Sequence, residues 1–164
     1  IPNFYILAGR STKIDHVLHD GDEVLLEEGL SIHAYRTAGH SAGEMSYRLE
    51  DAFFIGDTVP VITDIPIIID VPEMIASIKM LRCQKGIRSF YPAWDHAYSA
   101  EEMKEKLEQA EELIMNLGKA IAESDVGQDL RDLTKLVSEE MKLQMFSENP
   151  LFAKTVGAFR KEWK

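Results

Sequence analysis

The sequence has a single cysteine, no excess of basic residues and no long apolar run. One cysteine, Cys83, excludes an internal disulfide and predicts a reducing, cytoplasmic location. The 18 Lys and Arg stand against 28 Asp and Glu, and the net charge of −10 argues against nucleic acid or an anionic membrane surface as a partner. The longest apolar run, "IPIIIDV", is far shorter than the roughly 20 residues of a membrane span.

Two parts of the chain differ in pattern. Residues 1–98 contain short β-like runs, and residues 99–164 are almost wholly helical. We therefore predict an α/β (α+β) domain with a mixed sheet over 1–98 and a helical extension packed on it over 99–164. The predicted strands lie in "NFYIL", "DEVLL", "LSIHAYRT", "EMSYRLE", "AFFIGD" and "RSFYP", of which the fourth and fifth form a hairpin.

Four helices are predicted from apolar spacing and start signals. The first follows Asp70 and has Pro72 in its first turn. The second begins after Ser99, which has capping-box spacing to Glu102, and the fourth begins at Asn149. The apolar positions of the second helix form a seam at steps of three and four that predicts a buried face: Met103, Leu107, Ala110, Ile114, Leu117 and Ile121.

Polar side chains follow three of the predicted strands. His40 lies among small residues in "TAGHSAG", Asp57 follows Gly56 in "FFIGDTV", and Asp95 and His96 follow the strand that ends at Pro92. Small residues at such turns indicate that backbone approaches something closely. If the strands share a sheet, these side chains converge, and imidazole nitrogen and carboxylate oxygen are both good ligands for Zn²⁺ and related metals.

The segment "YRTAGHSAGEMSYRLEDAFFIGDTV" resembles the metallo-β-lactamase superfamily. It matches the superfamily motifs T-P-G-H-[ST]-P-G and G-D, with Ala38 and Ala42 in place of prolines, and the resemblance extends over about residues 15–98. It implies a partial αββα sandwich with part of a dinuclear metal site at one edge. The implied cofactor is zinc, two ions in a complete site, with iron or manganese as alternatives.

The resemblance also assigns metal ligands. His40 matches the third histidine of the first metal site, and Asp57 matches the carboxylate that bridges both metals. The last motif normally presents a histidine, but strict alignment after the proline puts Trp94 at that position. Either the loop is reshaped and His96 binds, or Asp95 substitutes, or the ligand is lost; we favour His96.

One part of the superfamily pattern is absent: the motif His-x-His-x-Asp-His occurs nowhere in these 164 residues. We therefore expect this chain to be the C-terminal segment of a hydrolase. Such a hydrolase would use metal-activated water to cleave an ester, thioester, lactone or related bond of a small-molecule substrate. The missing ligands would precede Ile1 or come from another chain, so the segment alone should be inactive. The alternative is a metal-poor relict that serves as an oligomerisation or interaction domain.

The same absence predicts self-association. Strands that carry Leu30, Ile32, Ala34 and Phe54 pack on both faces in a complete sandwich, and helices on one side cover only one face. We expect a second copy, in a two-fold homodimer, or the missing N-terminal half to cover the other face. The alternative cover is the helical extension itself, folded back over the sheet.

Overall fold

A computed structural model of the protein describes residues 11, 13–61 and 64–163. Within these ranges six strands form one mixed sheet in chain order, and four helices accompany it. The strands are β1 (Glu23–Leu25), β2 (Ser31–Arg36), β3 (Met45–Leu49), β4 (Ala52–Gly56), β5 (Ser89–Pro92) and β6 (Tyr98–Ser99). The helices are α1 (Val71–Arg82), α2 (Ala100–Ser124), α3 (Leu130–Glu140) and α4 (Pro150–Glu162). The strand predicted in "NFYIL" lies outside the described residues.

The sheet is antiparallel from β1 to β4, parallel between β4 and β5, and antiparallel again between β5 and β6. The predicted hairpin of β3 and β4 is confirmed, and its tight turn contains Glu50 at a φ of 51°. Helix α1 makes the crossover that the parallel pair needs. The C-terminal ends of β4 and β5 therefore lie at the same edge of the sheet.

The predicted helix starts are confirmed. The Asp70 side chain accepts a hydrogen bond from the Glu73 N–H at the start of α1, and Ser99 and Glu102 form the reciprocal capping box of α2. Asn149 caps α4 through the Leu151 N–H. No helix in the described ranges is long and apolar enough to cross a membrane.

One hydrophobic core joins the sheet to the helices. Phe53, Ile55 and Phe90 on one face of the sheet belong to the same buried cluster as the six predicted seam positions of α2, all of which are buried. Helices α3 and α4 pack on α2 and add further residues to this core. The covered face of the sheet is therefore the one that carries Phe53.

The opposite face of the sheet keeps an apolar strip open to solvent. Side chains alternate between faces along a strand, so Phe54 and Tyr91 lie opposite Phe53 and Phe90. Phe54 pairs in register with Tyr47 on one side and with Tyr91 on the other. The Phe54 and Tyr91 rings stack at 4.9 Å, yet these residues are 44% and 39% exposed. We call these three residues the sheet-face strip.

Candidate functional site

A cleft of about 550 Å³ lies at the sheet edge where β4 and β5 end. One wall is the segment that follows β4 and another is the loop that follows β5. His40, Asp57 and Asp95 all line this cleft. Open α/β sheets bind ligands in the crevice outside the carboxyl ends of their parallel strands. The cleft is therefore the candidate functional site.

The turn that carries His40 is fixed against the first turn of α1. The carbonyl of Gly39 accepts hydrogen bonds from the backbone N–H groups of Ile69 at 2.8 Å and Asp70 at 3.2 Å. The Ser77 hydroxyl donates to the Ala38 carbonyl at 2.7 Å. A Cβ at Gly39 would lie 2.6 Å from the Cα of Met74. The small residues of "TAGHSAG" are thus explained by helix backbone that approaches this turn.

The turn that carries Asp57 is held by Glu44, a residue that the sequence analysis did not single out. The Asp57 backbone N–H donates to Oε1 of Glu44 at 2.8 Å, and the Thr58 hydroxyl donates to the same oxygen at 3.5 Å. Buried hydroxyls continue this network from Thr58 through Ser46 to Thr37. Glu44 therefore ties the loop after β2 to the loop after β4.

The Glu44 carboxyl is partly buried and incompletely paired. Its Oε2 is buried and has no hydrogen-bond partner within the described residues. Burial raises the pKa of Glu44, while His40 and the Asp57 backbone N–H act in the opposite direction. An acid with a raised pKa in the folded state binds more protons than its unfolded counterpart at pH values above its ordinary pKa. The charge on Glu44 therefore costs stability as pH rises.

Glu44→Gln should become more stable relative to wild type as pH rises. Glutamine keeps an oxygen acceptor for the Asp57 N–H but has no charge to desolvate. Urea unfolding is measured at about pH 4, close to the ordinary glutamate pKa, and at about pH 7.5, well above it. The free energy of unfolding of the variant minus that of wild type should be larger at the higher pH. A difference that does not change with pH would contradict a raised Glu44 pKa.

The loop after β5 is organised around Asp95. The Tyr98 hydroxyl donates to Oδ2 of Asp95, the backbone N–H of His96 donates to Oδ1 at 2.7 Å, and Nδ1 of His96 lies 2.8 Å from Oδ1. These contacts, the Tyr98 hydrogen bond foremost, lower the pKa of Asp95 to about 2. Burial, followed by the hydrogen bond to Asp95, raises the pKa of Tyr98. Asp95 is therefore anionic throughout the physiological pH range.

The structure brings Asp95, but not His96, to the cleft. His96 packs edge-on against the Tyr98 ring at 4.9 Å, its side chain is 66% exposed, and it is absent from the cleft wall among the described residues. Trp94, at the position where the superfamily motif has histidine, lines the cleft instead. His96 as a ligand stays a prediction.

The donor atoms in the described part of the chain do not make a complete metal site. No three His, Cys, Asp or Glu side chains in that part lie close enough together to hold a metal ion. All five histidines and the cysteine fall within the described ranges. His40 and Asp57 offer suitable ligand atoms, but two ligands fall short of the three or four protein ligands of a zinc site.

Comparisons with known proteins give likenesses at the level of the fold. No protein-family model matches the sequence, and no curated protein matches it significantly. The structure is similar to a metallo-β-lactamase family protein from Thermus thermophilus, with 17% identity, a TM-score of 0.64, and 88% of this chain and 48% of that chain covered. It is also similar to an archaeal metallo-β-lactamase superfamily protein from Sulfolobus tokodaii, with 19% identity, a TM-score of 0.54, and 98% and 59% covered.

These likenesses confirm the predicted fold. The chain has a partial metallo-β-lactamase-like fold, built on a six-stranded mixed sheet with four helices in the described ranges. It spans about half the length of the first of these proteins and about three fifths of the second.

Proposed function

We propose that the chain supplies His40 and Asp57 as ligands to the metal site of a hydrolase, and that the remaining ligands come from polypeptide outside these 164 residues. The observation that carries this proposal is their position: both line one cleft at the carboxyl ends of β4 and β5. Both also lie on turns that independent contacts fix, through Gly39 for one and Glu44 for the other. Preorganised turns are what a metal site requires of its supporting shell.

The metal is zinc in this proposal, with iron or manganese as alternatives, and the substrate is an ester, a thioester or a lactone. Asp95 or His96 would add a third ligand after a rearrangement of the loop after β5, because no three such side chains lie close enough together in the described ranges to share a metal ion. Asp95 would have to give up its hydrogen bonds to Tyr98 and His96, and His96 would have to turn its imidazole into the cleft. The chain also positions these ligands: Glu44 holds the Asp57 backbone, and the packing of Gly39 on α1 holds the His40 turn.

The 164-residue chain alone should show little or no hydrolase activity, because two or three ligands do not assemble a catalytic metal site. Hydrolysis of a p-nitrophenyl ester and of a lactone, each measured with added Zn²⁺, checks this expectation. Robust metal-dependent turnover that His40→Ala abolishes would contradict it.

The ligand roles of His40 and Asp57 can be tested in a polypeptide that contains both this chain and the remaining metal ligands. His40→Ala and Asp57→Ala should each lower its kcat/KM by more than about 100-fold, because each removes a direct ligand. His33→Ala is the matched control, since His33 lies on β2 near Glu23 and is absent from the cleft wall among the described residues. Activity that survives both ligand substitutions would exclude these two residues as metal ligands.

The sheet-face strip favours a second candidate function. Exposed stacked aromatic side chains on a sheet face are typical of a surface that binds another sheet. A cytoplasmic interaction domain that forms a homodimer through this face would have such a surface without any metal site. The two candidates are compatible, because the strip and the cleft use different residues.

A further inference from the structure

The residues that lead into α1, 64–70, form part of the cleft wall on one side and pack on the core with the other. We call them the wall segment. Burial alternates along it: Ile65 and Ile67 are half-buried and line the cleft, whereas Pro66 and Ile68 are buried. These four residues belong to neither a helix nor a strand. The buried Pro66 carbonyl and Ile68 N–H therefore require hydrogen-bond partners from elsewhere in the fold.

One side chain of the helical extension supplies both partners. The Thr155 hydroxyl accepts a hydrogen bond from the Ile68 N–H at 2.9 Å and donates one to the Pro66 carbonyl at 2.8 Å. Thr155 lies on α4, is fully buried, and is 87 and 89 positions away from these two residues along the chain. A single hydroxyl therefore joins the C-terminal helix to the wall segment.

The Thr155 hydroxyl is directed to the wall segment and not to its own helix. A threonine inside a helix can donate to the carbonyl four residues earlier, which here is that of Leu151 at 3.4 Å. The Pro66 carbonyl at 2.8 Å is the better acceptor for the one hydroxyl proton. Thr134 on α3 has the opposite arrangement: it is equally buried but donates to Leu130 of its own helix at 2.6 Å.

The far end of the wall segment has an attachment of its own. The N–H groups of Ile69 and Asp70 donate to the Gly39 carbonyl at 2.8 and 3.2 Å. Gly39 therefore holds the end next to α1, and Thr155 holds the part that lines the cleft. Without the Thr155 hydroxyl, the cleft-lining part would keep only the attachment at its far end.

We propose that Thr155 is a positioning residue of the site: its hydroxyl fixes the wall segment, so that Ile65 and Ile67 present a defined surface to the substrate. Thr155 does not itself line the cleft, and it acts on the substrate only through these two side chains. The inference deepens the proposed hydrolase function, on which its kinetic consequence rests. It gives the helical extension a role in the site in addition to its packing on the core.

Hydrogen exchange of the 164-residue chain tests the attachment without a metal or a substrate. In Thr155→Val, which removes only the hydroxyl, the Ile68 amide should exchange at least about tenfold faster relative to the amides of β4. Thr155→Ser keeps the hydroxyl and should keep the wild-type ratio. Thr134→Val is the matched control, and it should leave the ratio unchanged. An unchanged ratio in Thr155→Val, or an equal rise in both valine variants, would overturn the proposal; Thr155→Ala is read in the same way if Thr155→Val does not fold.

Kinetics test the consequence for the substrate, in a polypeptide that contains both this chain and the remaining metal ligands. With the p-nitrophenyl ester or the lactone, Thr155→Val should raise KM at least about fivefold and change kcat less than about twofold, because it alters a surface that binds the substrate and no metal ligand. Thr155→Ser should retain the wild-type KM, as should Thr134→Val. An unchanged KM in Thr155→Val would overturn the role in substrate fit. A wild-type polypeptide without activity would refute the hydrolase function, and hydrogen exchange alone would then decide whether Thr155 holds the wall segment.

Discussion

Gly39→Ala is expected to lower the free energy of unfolding by at least about 3 kcal/mol. Gly39 has a φ of 137°, a conformation that L-residues with a Cβ rarely adopt. The added Cβ would also lie 2.6–2.7 Å from the Cα, Cβ and backbone nitrogen of Met74. These are mostly backbone atoms near the start of α1, so the clash can be relieved only if the helix or the His40 turn moves.

Gly127→Ala is the matched control for this substitution. Gly127 also has a positive φ, of 94°, but an added Cβ there would meet no atom within 4 Å. It should cost only the conformational strain, about 1–2 kcal/mol. Urea unfolding of both variants separates strain from clash. Equal losses in the two variants would show that the contact between the His40 turn and α1 is not as close as the structure indicates.

The chain should sediment at micromolar concentration as a dimer, at twice the 18.6 kDa of one chain. The reason is the sheet-face strip, since Phe54 and Tyr91 lie opposite the only face that the described helices cover. Symmetric pairing is the commonest way to bury such a surface. The alternative cover for the strip was the helical extension folded back over the sheet. The described helices do not cover it, because α2 packs on the opposite face, which carries Phe53.

Phe54→Lys should shift the equilibrium to monomer, because it places a charge at the centre of the strip. Val126→Lys is the control, since Val126 is an exposed apolar residue in the loop between α2 and α3. A wild-type protein that sediments as a monomer with a cooperative melt would exclude the dimer. A dimer that Phe54→Lys leaves intact would move the interface elsewhere.

Much of the fold could be predicted because its signals are local. The capping box at Ser99, the seam from Met103 to Ile121 and the β3–β4 hairpin depend on residues a few positions apart. The two-residue strand β6 was not predicted, because Tyr98 and Ser99 follow a polar loop and pair only through their position beside β5. Strands that short have no periodicity of their own.

The site was predicted less completely, because its contacts cross between distant segments. His40 and Asp57 follow from strand ends and from motif resemblance, and both line the cleft. The role of Glu44 was not predicted, because it depends on a hydrogen bond from a backbone N–H thirteen positions away in the sequence. An acidic residue among small residues at the start of a strand was the only local signal. In the loop after β5, the Asp95 carboxylate accepts a hydrogen bond from the Tyr98 hydroxyl and contacts the His96 imidazole. The spacing of these residues after Pro92 does not reveal either contact.

Calorimetric titration of the chain with Zn²⁺ tests the central claim most directly: the chain carries part of a metal site and not the whole. With His40 and Asp57 as its assigned ligands and at most one more, the chain should bind Zn²⁺ no tighter than about micromolar. The Asp57→Ala variant should bind Zn²⁺ more weakly still, because it lacks one of the two proposed ligands. A stoichiometric site of nanomolar affinity, about 12 kcal/mol, that Asp57→Ala abolishes would show that the chain holds a complete metal site by itself.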